Sequence, residues 1–330
     1  MSYASESVLP RSAKLAQLEE LIALLGYRRG EDGLKVPARI GSYFWYDKEE
    51  FRSYAGVELD IYRRLHGPIK VTTQSNAGRS YWDLTQQNKT IKLIRNLFGG
   101  HFITDAGRNR CWRPNRRPPS PLASGCFIAR SRFHSGLGRA RIYLMSRKLE
   151  GPIAQEKSSG LEFMDELNPR ILSNNFLLPY IVALWENYFR STFAAALKYS
   201  KQRESALKRA RLSHSNLEQV ALGTHSIERA IAEGFSFQRP TSIAENFRLL
   251  DPKLDIGAAL RKPYRRRKKS LFDSIKQLVE DRHVFVHTDR MNVKFFDPQL
   301  QTTLSNIEVA VNRAYEFVAA HYGFVPSQDY

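Results

Sequence analysis

The stretch LLPYIVALWENYFRSTFAAAL, residues 177–197, decides the fold class of the C-terminal half. Wound at 3.6 residues per turn, Ile181, Val182, Leu184, Trp185, Tyr188, Phe189 and Phe193 place apolar side chains nearly all round the helix, so it belongs in the middle of a bundle. The chain around it reads as further helices. Leu217 to Glu233 is helical and stops at Gly234. Residues 235–269 are broken by Pro240, Pro252, Gly257 and Pro263, which predicts short helices and loops. Ser270 and Asp273 form a capping-box pattern opening a helix that runs to about Val286. The last helix spans about Thr303 to Tyr322, with Leu304, Ile307, Val311, Ala314 and Val318 inside and Gly323 as its stop. An all-α domain over residues 161–330 is expected.

Upstream the pattern changes. Residues 12–25 read as an amphipathic helix with Leu15, Leu18, Leu21, Ile22 and Leu25 on one stripe. Glu49 to Leu65 reads as helical. Ile69 to Thr73 follows Pro68 and is rich in strand formers. Thr85 to Phe98 is helical and ends at Gly99-Gly100; His101 to Thr104 is a short strand. RPNRRPPSP, residues 113–121, is a loop. Cys126 to Phe133 and Arg139 to Met145, joined by Ser135-Gly136-Leu137-Gly138, read as a hairpin. Residues 1–160 are therefore expected to form an α+β domain carrying a basic β-hairpin, and the whole chain to be α+β.

Lys and Arg number 51 against 33 Asp and Glu in 330 residues, a net charge of +18. Such a field attracts polyanions, nucleic acid first among them. Residues 107–148 hold eleven Lys or Arg and no acid. In the expected hairpin, Arg130 and Arg132 share one face, as do Arg139, Arg141 and Tyr143, a surface suited to RNA phosphates and bases. The alternative is an edge hairpin kept soluble by arginine. A second run, Arg261 to Lys269, is basic at seven of nine positions, including Arg265, Arg266, Arg267, Lys268 and Lys269. It precedes the helix opened by Ser270 and could funnel RNA toward it.

Other classes find no support. No apolar run approaches the roughly 20 residues of a membrane span. The opening MSYASESVLPRSAKL lacks the apolar region of a secretory signal. Two cysteines, Cys111 and Cys126, make no disulfide framework, and neither sits in a nucleophile motif. No Gly-rich phosphate loop or Gly-x-Ser-x-Gly elbow is present. A cytoplasmic protein with no membrane association is expected.

The chemistry-bearing segment is EDRHVFVHTD, residues 280–289. Leu271, Ile275, Leu278, Arg282 and Phe285 follow helical spacing, so Arg282 falls on an apolar stripe. A guanidinium there needs a carboxylate, a cleft or a bound phosphate. Arg282 and His287 are five residues apart, about 140° round a straight helix. Either the helix ends or distorts near His287, or a site combines residues of two chains. His283 and His287 are an i,i+4 pair, which is also a metal-ligand spacing, with Glu280 or Asp289 as further candidates. Arg209/His214 and Arg95/His101 share the loose spacing but lie outside the core-helix context.

Arg282, the polar His283 and His287 resemble the R-x4-6-H motif of the HEPN superfamily (higher-eukaryote and prokaryote nucleotide-binding domains) over roughly residues 165–322. Glu186, in WENYFR, matches the acidic residue that the family carries in an earlier core helix; read by itself it is an i,i+4 pair with Arg190. The resemblance implies a helical bundle acting as a metal-independent endoribonuclease that needs no cofactor. Arg282, His283, His287 and Glu186 would be catalytic, and the product would carry a 2′,3′-cyclic phosphate. It further implies a homodimer or higher oligomer, a toxin–antitoxin or antiviral-defence role, and an antitoxin or regulatory partner. Two alternatives stand beside it: a non-catalytic module binding nucleic acid or a partner, and a metal-dependent hydrolase using His283 and His287.

Overall fold

The computed structural model describes residues 2–30, 36–47, 51–65, 67–114, 117–147, 157–200, 203–264, 268–288 and 290–326. The chain divides into two compact units at Ser124/Gly125, earlier than the expected boundary at residue 160.

The N-terminal unit runs β1 (Tyr3–Val8), α1 (Leu15–Leu24), β2 (Arg28–Arg29), β3 (Arg39–Trp45), β4 (Val57–Arg63), β5 (Ile69–Ser75), α2 (Tyr81–Phe98), β6 (His101–Thr104) and β7 (Gly107–Arg108). The strands form an antiparallel sheet of order β2-β3-β4-β5-β1-β6-β7. Period-two alternation buries Val57, Leu59 and Ile61 of β4 with Ile69 and Val71 of β5, and these pack with Leu18 and Ile22 of α1 and Ile94 of α2. The α+β reading of this half holds, but Glu49–Leu65 is not a helix. Its second part is β4, where alternate burial outweighs the helix-forming charges between. Ser80 and Asp83 cap α2 reciprocally. The buried Asp83 also accepts from the Ser53 hydroxyl and from the backbone of Tyr54 and Ala55, so one carboxylate starts the helix and anchors the loop before β4.

In the second unit every regular element among the described residues is helical: α3 (Pro121–Ser146), α4 (Glu162–Glu166), α5 (Pro169–Tyr199), α6 (Glu204–Arg209), α7 (His214–Ala221), α8 (Ile227–Glu233), α9 (Pro240–Arg248), α10 (Ile256–Arg261), α11 (Leu271–Thr288) and α12 (Asp297–Tyr322). The expected basic hairpin does not exist; its residues form α3. Cys126, Ala129, Phe133, Leu137, Ala140 and Leu144 are buried at spacings of three and four, which is helical and not strand periodicity. Gly136 serves close approach rather than a turn. A Cβ there would lie 2.3 Å from Leu184 Cδ2 of α5, and Tyr180 donates to the Gly136 carbonyl at 3.0 Å. Leu217–Glu233 is two helices, α7 and α8, separated at Gly223 with φ +67°.

The core of this unit lies around α5. Trp185, Phe189 and Phe193 are fully buried, and Phe193 meets Phe237 and Phe247 edge-on or tilted at 5.3 and 5.6 Å. Gly323 closes α12 with φ +68°. No helix among the described residues is long and apolar enough to cross a membrane.

Candidate active site

Helix α11 starts as its sequence dictates. The Ser270 hydroxyl accepts from Asp273 N at 3.1 Å. Leu271, Ile275, Leu278 and Val279 are buried, and from Asp281 to Thr288 the residues are half-buried or exposed. The helix continues to Thr288, whose hydroxyl donates to the Val284 carbonyl at 2.7 Å. It therefore passes through the whole Arg282–His287 segment without ending or breaking.

That regularity fixes the local geometry. His283 and His287 are exposed, with ring centroids 4.5 Å apart. Arg282 lies about 140° round the helix from His287. It is half-buried, and its Nε is sealed from solvent with no hydrogen-bond partner among the described residues. Phe285 meets Phe176 of α5 edge-on at 5.4 Å; Phe176 stays 62% exposed, with Leu172 and Val286 also exposed. Asp289 lies outside the described residues.

Glu186 is placed elsewhere on α5, ten residues and so about 15 Å beyond Phe176. Its Oε1 accepts from Arg190 at 2.5 Å and its Oε2 from Gln238 at 3.3 Å. Both oxygens are engaged by these neighbours, the i,i+4 pairing that local spacing offered. Glu280, a candidate metal ligand by spacing, faces Arg239 at 4.0 Å.

The arginines of α3 separate by helical, not strand, phase. Residues two apart point to opposite sides of a helix, so Arg130 and Arg132 do not share a face, nor do Arg139 and Arg141. Arg130 donates to Asn312 at 2.8 Å and lies over the Tyr315 ring of α12. Arg141 makes a two-pronged contact with Glu308, which His134 also approaches at 3.4 Å. The Arg141 hydrogen bond is the chief reason that the Glu308 carboxyl sits below its ordinary range. Arg132 and Arg139, seven residues apart, are exposed together on the other side.

The second basic run is tied to α12 at its start. Arg313 donates to the carbonyls of Lys262 and Pro263 at 2.7 and 3.3 Å, and Arg261 lies 3.8 Å over the Phe272 ring. Lys268 and Lys269 are exposed; Arg265, Arg266 and Arg267 lie outside the described residues.

One cluster escaped the sequence reading. Arg147 is buried and donates to Asn174 at 2.6 Å, to Asp297 at 3.3 Å and to Tyr143 at 3.0 Å. Arg170 donates to the same carboxylate at 2.8 Å. Only the i,i+4 spacing of Tyr143 and Arg147 was local; Asn174 and Asp297 stand 27 and 150 residues away. Neither cysteine is an activated nucleophile, because burial pushes the Cys126 thiol up to about 12 and also raises Cys111. No known protein family, curated protein or solved structure matches this chain.

Proposed function

We propose that the chain is a metal-independent endoribonuclease of the HEPN type, with a helical bundle presenting Arg282, His283 and His287 at the end of α11. The observation that carries this reading is the exposed pair of imidazoles on the same helix turn that carries the half-buried guanidinium of Arg282. A phosphate oxygen would pair with the terminal nitrogens of that guanidinium. In the reaction the ribose 2′-oxygen bonds to the adjacent phosphorus while the bond from phosphorus to the 5′-oxygen breaks. The 2′-hydroxyl proton passes to one imidazole, and another proton reaches the leaving 5′-oxygen. Arg282 stabilises the charge on the non-bridging oxygens. The products are a 2′,3′-cyclic phosphate and a 5′-hydroxyl.

Because Arg282 and His287 diverge on one helix, the site is composed from two copies, in a homodimer or an assembly of such dimers. The exposed Leu172, Phe176 and Val286 beside the motif suit burial against a second copy. Arg132 and Arg139 on the outward side of α3, with Lys268 and Lys269, would attract the RNA backbone. Glu186 takes a supporting structural place through Arg190 and Gln238 rather than a place in the reaction. Toxin or antiviral-defence action in the cytoplasm, restrained by an antitoxin or regulatory partner, fits an RNase of this kind. The paired His283 and His287 also suit a divalent ion, which makes metal-dependent hydrolysis the second reading.

Labelled RNA incubated in excess EDTA, beside Arg282→Ala and His287→Ala, separates these readings. The parent protein should cut and leave cyclic phosphate ends. Each variant should lose about 100-fold or more in rate while melting at the parent's temperature. Wild-type rates in both variants would remove the assignment. Strict dependence on added divalent ion, with 3′-hydroxyl ends, would move it to the metal reading.

A further inference from the structure

The N-terminal unit has an open cleft of about 1280 Å³ between α2 and the segment running from β6 past β7. It is larger than the roughly 300–1,000 Å³ of small-molecule sites. Lys89 and Lys92 rise from adjacent turns of α2, and Arg110 and Arg113 come from the chain after β7. All four are exposed, and among the described residues no carboxylate lines the wall with them. Lys89 and Lys92 repel each other at i,i+3, so this concentration of positive charge works against folding unless an anion offsets it.

The same cleft carries aromatic surface. Trp112 is 7% exposed and stacks on Tyr3 with ring centroids 5.3 Å apart and planes 4° apart. Asn88 clamps its backbone in both directions, at 2.8 and 3.2 Å. The Trp112 Nε1–H, buried in the cleft lining, has no acceptor among the described residues. Tyr81 is half-buried at the cleft, edge-on to Trp82 at 5.1 Å. Exposed cations that track phosphates beside an aromatic wall are the parts of a single-strand binding groove. An acidic peptide would satisfy the charge but brings no base to lie against the half-buried Tyr81 at the cleft.

We propose that this cleft binds a single-stranded polynucleotide, its phosphates on Lys89, Lys92, Arg110 and Arg113 and its bases against the Tyr81 and Trp112 side. The reading does not rest on the nuclease assignment, since the cleft belongs to the other unit and binding is measured without cleavage.

The test uses the full chain carrying His287→Ala, so that the probe stays intact, and measures anisotropy of labelled oligouridylate and oligothymidylate over a salt series. Both single strands should bind. Lys89→Glu with Lys92→Glu should weaken binding about tenfold or more and make the salt slope shallower by about 1.4, because two phosphate contacts no longer release counterions. Tyr81→Ala should weaken it about tenfold with the slope unchanged. Both variants should melt as the parent does, and Arg113→Ala gives a second charge variant outside the helix. Unchanged affinity and slope in all of them would overturn the proposal, as would preference for a duplex. Displacement by polyglutamate as effective as by RNA, insensitive to Tyr81→Ala, would reassign the cleft to an acidic protein segment.

Discussion

His283 and His287 stand one turn apart on the exposed end of α11 with ring centroids 4.5 Å apart, while Arg282 faces about 140° away from His287. On the proposed reading, the two proton carriers sit on a single helix and the anion-stabilising group is not assembled with them. The proposed composite site calls for a second chain against the exposed Phe176 and Val286 to supply the arginine.

That division makes complementation informative. Arg282→Ala chains mixed with His287→Ala chains, under conditions allowing exchange, should form hybrids with one intact arginine–histidine pair and recover part of the RNA cleavage that each variant lacks alone. Sedimentation of the active protein should give a dimer or a multiple of it. A monomer that cuts RNA at the concentration sedimented would sink the composite site.

The Arg147–Asp297–Arg170 cluster should be a stability determinant. Two guanidinium groups with side chains 2% and 7% exposed share one carboxylate. Asp297→Ala leaves both without it and should cost about 3–5 kcal/mol, read from denaturant midpoints. Asp297→Asn, which keeps an acceptor for one arginine, should cost less. A loss under about 1 kcal/mol for the alanine variant would mean that water reaches the arginines as freely as at the surface.

Glu308 gives α3 and α12 a pH-dependent tie. Arg141, His134 and Arg130 all face its carboxylate, and they hold its pKa below the ordinary value of 4.5. A depressed folded pKa means that the charged form is favoured by folding. Its contribution is fully present above the unfolded pKa and is lost as pH falls through the folded one. Wild type should therefore exceed Glu308→Gln in stability at pH 6, and the two should converge in acid below the carboxylate range. A difference that persists or grows in acid would show that charge is not what Glu308 contributes. The gap is expected to be under about 1 kcal/mol, since Arg141 is 43% exposed.

The sequence alone determined what depends on neighbours a few residues apart. The apolar circumference of 177–197 specified a buried helix, and α5 is one. Ser270 and Asp273 specified where α11 starts, and the i,i+4 spacing of His283 and His287 already implied that their rings meet. Tertiary structure decided whatever depends on a partner far along the chain. In α3, the alternating arginines and Gly136-x-Gly138 imitate a strand–turn–strand locally. The helix forms because its buried row packs on α5, with Gly136 admitting Leu184, and because Arg130 and Arg141 find partners 182 and 167 residues away on α12. Glu186 was legible as a carboxylate among apolar neighbours, but its second partner, Gln238, lies 52 residues on. Periodicity records which side of an element is buried; the residue that meets that side is fixed only when distant segments pack and the cost of ordering them is offset.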